Sequence, residues 1–229
     1  MKNLSILFLL LIVASCGKDQ GNLTVNAHVK GLKKGTIYLQ KIEDSLLVSI
    51  DSLTINGDEA FELHGQVDSP EIFYLVLNKH DNSYERIPFF AEPGIININT
   101  TLKNFVIDAK ITGSKNQVFL DEYNLINSKI SNARLDLIKA KFEATRAQDS
   151  VKIDSIINYD MNLIKRKYLY TVNYAINHSG AEIAPYLALS EIYDANVKWL
   201  DTINSSLTPE IKSSKYGKQL QSYLEDIKK

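Results

Sequence analysis

Apolar and polar positions change rhythm once along this chain, close to Gly113. From Leu23 to about Thr112 the apolar residues alternate with polar ones or gather in short β-branched runs: LTVNAHV, GTIYLQKI, LLVSIDSLTI, AFELHGQV, EIFYLVL, RIPFFAE and IININT. A period of two is the mark of half-buried strands. The runs are separated by KGLKKG, NGDE, DSP, KHDNSY and EPG, where Gly, Pro, Asn and Asp allow tight reversals. Seven such runs predict an antiparallel sandwich or barrel of about seven strands.

After Gly113 the period lengthens. Phe119, Tyr123, Ile126, Ile130, Ala133, Leu137 and Ala140 recur at steps of three and four, which predicts an amphipathic helix of several turns. A second helix is expected from near Ser150 to Ile176, using Ile153, Ile156, Ile157, Leu163, Ile164 and Tyr168. Shorter helices follow around Pro185–Asp194, Lys198–Ser205 and Lys215–Ile227. Ser114 is placed to cap the first long helix, and Thr208-Pro209 to start a further turn. The fold class expected is therefore α+β, an N-terminal antiparallel β-sandwich or barrel over residues 22–113 followed by a C-terminal helical bundle over 114–229.

The first 21 residues read as an address. Lys2 precedes an apolar run from Leu4 to Val13 and the small residues Ala14 and Ser15, the layout of an export signal. A spanning helix needs roughly 20 apolar residues, and this run ends at Gly17, Lys18 and Asp19. Val13-Ala14-Ser15-Cys16 resembles the lipobox of bacterial lipoproteins, which implies cleavage of residues 1–15 and lipid on the sulfur of Cys16, with 16–21 as a tether. Cys16 is the only cysteine in 229 residues. The expected location is the cell envelope, anchored to the outer membrane, on either its periplasmic or its surface face. Lys18-Asp19-Gln20 resembles surface-export signals and leaves that choice open.

Charge narrows the partners. Loss of residues 1–15 removes Lys2 alone and leaves 25 basic against 27 acidic side chains. Residues 17–113 hold 9 basic and 13 acidic residues, and 114–229 hold 16 and 14. That balance gives no basic footprint for nucleic acid, and the run KRK at 165–167 reads as a solvated helix face.

No stretch assembles a catalytic constellation. Nucleophile elbows, phosphate loops and dinucleotide fingerprints are missing from the sequence. His28, His64, His80 and His178 lack metal-ligand spacing, so neither metal nor cofactor is expected. The neighbouring carboxylates Glu43-Asp44, Asp58-Glu59 and Asp121-Glu122 diverge on strand or helix and read as turn and surface charges. TGSKNQ at 112–117 is the nearest approach to an anion-binding helix start, and a plain turn with a helix cap is the favoured reading of it. Glu92 stands before a Pro93-Gly94 hairpin turn with no partner visible. The 12 tyrosines are the compositional oddity, with Tyr159, Tyr168, Tyr170, Tyr174, Tyr186, Tyr193, Tyr216 and Tyr223 in the helical half. Interhelical packing is the plainer reading, a groove for peptide or glycan the sharper one.

The succession INGDEAFELHGQVDSPEIFYLVL, FFAEPGIININT and ITGSKNQ resembles the domain of unknown function 4369 of Bacteroidetes envelope proteins, and APYLALSEIYDA with LTPEIKSSKYGKQLQSYLEDIKK resembles the helical linker that follows it. In such relatives a thioredoxin-like domain with a Cys-x-x-Cys pair comes next. The present sequence has no such pair, so the resemblance does not carry redox chemistry to it. Ser45, Ser52, Ser150, Ser155 and Thr202 each lie between Asp and an aliphatic residue, a pattern that resembles the O-glycosylation site of exported Bacteroidetes proteins; ordinary turn and cap chemistry is the alternative. The expected function is that of a non-enzymatic envelope lipoprotein that binds another envelope protein. The runner-up is an accessory, in trans, of a thioredoxin-like oxidoreductase, and the third reading is a truncated relict of one.

Overall fold

A computed structural model describes residues 21–79 and 83–229. The expected signal, residues 16–20 of the expected tether with Cys16, and His80 lie outside the described residues. The seven expected runs form β1 (Leu23–Lys30), β2 (Lys34–Glu43), β3 (Leu46–Asn56), β4 (Ala60–Gly65), β5 (Glu71–Asn78), β6 (Tyr84–Ala91) and β7 (Gly94–Thr101), and a short eighth strand, β8 (Lys110–Thr112), is added. They build two four-stranded sheets, ordered β4-β1-β7-β8 and β3-β2-β5-β6. The choice between sandwich and barrel falls to the sandwich.

Two expectations need correction. The sheets are not wholly antiparallel, because β1 and β7 run parallel, with Val25 opposite Ile96 and Ala27 opposite Ile98. A parallel pair requires a long crossover, and five strands supply it here. Nor is Pro93-Gly94 a hairpin turn: β6 edges one sheet and β7 sits inside the other, so the turn carries the chain between layers.

Alternation explains the layers. Val25, Leu63, Ile96 and Ile98 of the first sheet meet Ile37, Leu39, Leu75, Leu77 and Phe89 of the second in one core. Strand β5 breaks the half-exposed pattern, since Phe73, Leu75 and Leu77 face the sandwich while Ile72 and Tyr74 belong to a second apolar cluster on the outside. A strand buried on both faces must be covered, and the helices cover it.

Those helices are α1 (Lys115–Arg146), α2 (Ser150–Asn177), α3 (Ile183–Glu191), α4 (Val197–Ser206), α5 (Pro209–Ser213) and α6 (Lys215–Ile227). The Ser114 side chain accepts from Gln117 N–H, and that of Thr208 accepts from Ile211 N–H with Pro209 opening α5, so both expected caps are in place. Helices α3 and α4 pack on the second half of α2, and α6 packs on α3 and α4, in one cluster that includes Val172, Ala175, Ala188, Leu200, Ile203 and Leu220. The outer halves of α1 and α2 have only each other. Accordingly Ile130, Ala133, Leu137 and Ala140 are half-buried rather than buried, and Ile126 is exposed. No helix among the described residues is long and apolar enough to cross a membrane.

Gly113 fixes where α1 departs from the sheet. Its φ of +104° lies in the region that favours glycine, and a Cβ there would stand 2.1 Å from the Ile95 carbonyl oxygen. Gly113→Ala is expected to cost about 2 kcal/mol or more, read as a fall in melting temperature of roughly 5 °C; an unchanged melting curve contradicts this account.

Candidate functional site

The sandwich and the helices meet across an aromatic layer. Phe90 and Ile72 on the outer face of β5 and β6 touch Tyr123, Ile183 and Leu187, with Tyr74, Tyr170, Tyr174, Tyr186 and Tyr216 around them. Phe90 stands edge-on to Tyr186 with ring centroids 5.1 Å apart, and Tyr123 stacks on Tyr170 at 5.3 Å. Three of the hydroxyls are hydrogen-bonded within the chain. Tyr123 and Thr171 oxygens are 2.7 Å apart, Tyr174 donates to the Phe119 carbonyl at 2.7 Å, and Tyr216 accepts from Ile72 N–H at 2.9 Å. Burial pushes the phenols of Tyr123, Tyr174 and Tyr216 well above their ordinary value. Tyr123, Tyr170, Tyr174, Tyr186 and Tyr216 are therefore packing residues, with a small cleft of about 210 Å³ beside Tyr74, Tyr186 and Tyr216 at the edge of the layer. Tyr123, legible in the sequence only as one position on a helix face, is the most enclosed of them.

Glu92 has the partner that its sequence context conceals. One carboxylate oxygen, Oε1, accepts from Ser114 Oγ at 2.7 Å, Asn116 N–H at 2.7 Å and Asn116 Nδ2 at 2.9 Å. Asn116 Oδ1 in turn accepts from Ile183 N–H at 2.9 Å, and Gln117 Oε1 from Phe90 N–H at 2.9 Å. The TGSKNQ turn is thus an anion-binding helix start whose anion belongs to the same chain. Negative charge at unsatisfied helix N–H groups is favourable. No sequence signal links Glu92 to Ser114, because the contact is made only when the β6–β7 crossing is folded.

Beside this clasp lies a cleft of about 740 Å³, lined among others by Lys41, Glu71, Lys115, Glu182, Lys215 and Lys218. It holds two nearly buried acids in contrasting states. Glu71 pairs with Lys215 and lies 3.9 Å from Lys41, which also pairs with Glu43 at 2.7 Å. Glu182, 3% exposed, faces no cation within ion-pair distance and accepts from Ser214 Oγ at 2.7 Å. Burial, with the Glu210 and Glu92 charges adding, pushes its carboxyl up to about 7. Lys115 and Lys218 make no ion pair among the described residues.

The other candidates are placed apart. His28 lies against Glu59, His64 against Glu62, and His178 stacks on Tyr174. No group of three or more His, Cys, Asp or Glu among the described residues could hold a metal ion. Glu43 pairs with Lys41, Glu59 accepts from Gly31 N–H, Asp121 accepts from Gln117 Nε2 and Glu122 from Tyr174. Ser45 sits on the β2–β3 turn at φ +72°, Ser52 within β3, Ser150 and Ser155 on α2 and Thr202 on α4, and all five are exposed. They are spread over the surface and form no common site.

Far from the cleft, the paired α1–α2 arm carries a feature that sequence periodicity alone did not isolate. Leu135, Ile138 and Phe142 are 62%, 66% and 64% exposed, and on α2 Ile157 and Met161 are exposed as well. Ile138, Ile157 and Met161 share a shallow groove of about 220 Å³ with Leu137 and Ile156, and the Arg134–Asp160 ion pair (2.6 Å and 3.3 Å) borders it.

Two expectations follow from the junction. Glu92→Ala leaves the Ser114 and Asn116 donors without their acceptor and is expected to cost about 2–3 kcal/mol in urea unfolding, with Glu92→Gln losing less; equal loss in both variants contradicts a hydrogen-bonded clasp. For Glu182 the folded pKa exceeds the unfolded one, so the folded state holds the extra proton and stability falls as pH rises from about 4.5 to 7, by up to about 3 kcal/mol. Glu182→Gln should remove that slope and be the more stable protein at pH 8. Parallel pH profiles of the two proteins would contradict the assignment.

No curated protein matches this chain. Residues 23–120 match the family model described as Domain of unknown function (DUF4369), a span that takes in the whole sandwich, Glu92 and the clasped first turn of α1, while α2–α6 lie beyond it.

Proposed function

We propose that this protein is a non-enzymatic interaction module of the cell envelope, held at the outer membrane by lipid on Cys16, that binds a protein partner through the α1–α2 arm. The observation that supports the reading is the apolar face of that arm. Buried polar and aromatic groups at the junction are satisfied within the chain, whereas Leu135, Ile138, Phe142, Ile157 and Met161 stand open to solvent on neighbouring helices. Soluble surfaces rarely gather large apolar side chains without a use for them, and contiguous patches of a few hundred Å² mark binding surfaces. Catalysis is assigned no part: Ser214 Oγ is held by Glu182 and the Ile211 carbonyl, and no histidine lines the cleft.

The reading predicts that the native chain, extracted in mild detergent, migrates on a native gel as a species larger than 25.8 kDa plus its micelle. Leu135→Ser, Ile138→Ser and Phe142→Ser together should reduce it to the single chain with little change in melting temperature, because exposed side chains contribute little to folding. Migration of the unaltered chain as a monomer counts against the reading. So does an assembly indifferent to the triple substitution. Replacing Cys16 with Ser should move the protein out of the membrane fraction if lipid holds it there.

A further inference from the structure

We infer that the cleft beside the Glu92 clasp binds a zwitterion, a free amino acid or short peptide whose ammonium group seats on Glu182 and whose carboxylate reaches Lys115 and Lys218. The site is separate from the arm and adds a small-molecule ligand to the reading above.

The charges that line the cleft fall into two sets. One is closed within the chain: Glu71 pairs with Lys215 and lies 3.9 Å from Lys41, and Lys41 is held in addition by Glu43 and by the field of Asp68. The other is open. Lys115, Lys218, Glu182 and Glu210 border the same space, and none of the four makes an ion pair among the described residues. Two cations and two acids are left without partners, so a ligand of one sign would satisfy one pair and repel the other. The volume of about 740 Å³ lies within the roughly 300–1,000 Å³ of small-molecule sites.

Glu182 is the anchor. It is 3% exposed, yet its one hydrogen bond comes from Ser214 Oγ to Oε2 at 2.7 Å, and Oε1 receives none. Even that donor is shared, because Ser214 Oγ stands 2.7 Å from the Ile211 carbonyl as well. The charges that act on Glu182 are those of Glu210 and Glu92, both of its own sign. A carboxyl buried without a cation is a burden on the free chain, and such groups gather where a ligand supplies what is missing. The missing partner is an ammonium rather than a metal ion. No group of three or more His, Cys, Asp or Glu among the described residues could hold a metal, whereas an ammonium carries three donors, enough for both Glu182 and Glu210. The carboxylate end of the ligand follows from the two lysines. Lys115 rests 5.6 Å from the centre of the Phe119 ring with its own donors unused, and Lys218 lies in the first turns of α6.

Alanyl-alanine, its N-acetyl form and its C-terminal amide are titrated calorimetrically into the full chain in mild detergent. The expected result is saturable binding of alanyl-alanine at millimolar concentration or below. N-acetylation, which removes the ammonium, and Glu182→Gln, which removes its seat, should each weaken it about tenfold or more. Amidation of the peptide, or Lys115→Met with Lys218→Met, should weaken it as well. Because the ammonium pairs with the ionised carboxylate, binding must displace a proton below pH 7, and affinity should fall about tenfold between pH 7 and pH 5.5 while the peptide keeps both of its charges. Glu182→Gln is expected to fold, so a loss of binding there reads the site and not the fold, and its melting curve checks this. Absence of saturable binding to the unaltered chain overturns the inference, as does a Glu182→Gln protein or an N-acetyl peptide that binds equally well. An amide that binds as tightly as the acid removes the zwitterion.

Discussion

One carboxylate oxygen on Glu92 anchors the start of the helical half to the sandwich. Glu92 follows β6, where the chain leaves one sheet for the other, and its Oε1 takes three hydrogen bonds from Ser114 and Asn116 at the start of a 32-residue helix. A helix start buried against a sheet would otherwise leave N–H groups unpaired, each at a cost of about 1–3 kcal/mol. Because Asn116 passes the connection on to Ile183 and Gln117 returns it to Phe90, the same few atoms orient α1, α3 and the edge strand together. The direction of the arm, and so the exposure of its face, follows from that joint.

Much of the fold was legible because the forces that build it are local. The seven long strands announce themselves by alternation, the helices by their spacing, and the caps at Ser114 and Thr208 by residue type. The parallel pairing of β1 with β7 was not legible, since alternation reports which face a residue occupies and says nothing of which strand lies beside it. The eighth strand has three residues, too few to show a period. Glu92 and Glu182 escaped for the same reason as the pairing: their partners are 22 and 32 residues away and arrive only through tertiary packing. The tyrosines illustrate a different limit. Composition flagged them, and the plainer of the two readings, packing, is the one the structure bears out.

Glu71 and Glu182 show how one cleft treats two acids differently. Glu71 lies between Lys215 and Lys41, and its ion pairs tie β5 to α6 and to β2. Glu182 has a hydroxyl and two further acids near it, and it holds its proton to about pH 7. An isolated charge in a poorly solvated site is more costly than a shifted pKa, so the proton stays. The contribution of Glu182 to the junction is therefore greatest in mild acid.

The arm is held from its base. Tyr123, Thr171, Tyr170 and Tyr174 interlock where α1 and α2 leave the body, and the tip is closed by Gln148 at φ +56° and by the Asp149 cap. Between these ends the hairpin relies on a narrow seam of half-buried residues and on one partly exposed ion pair, an interaction worth no more than about 1 kcal/mol. Leu135, Ile138 and Phe142 take no part in that seam. Their side chains add nothing to the fold of a single copy, and apolar groups kept in water are neutral to folding while available to association. The sequence thus separates two tasks along one helix: the face that turns toward α2 keeps the arm straight, and the face turned outward is free to be covered.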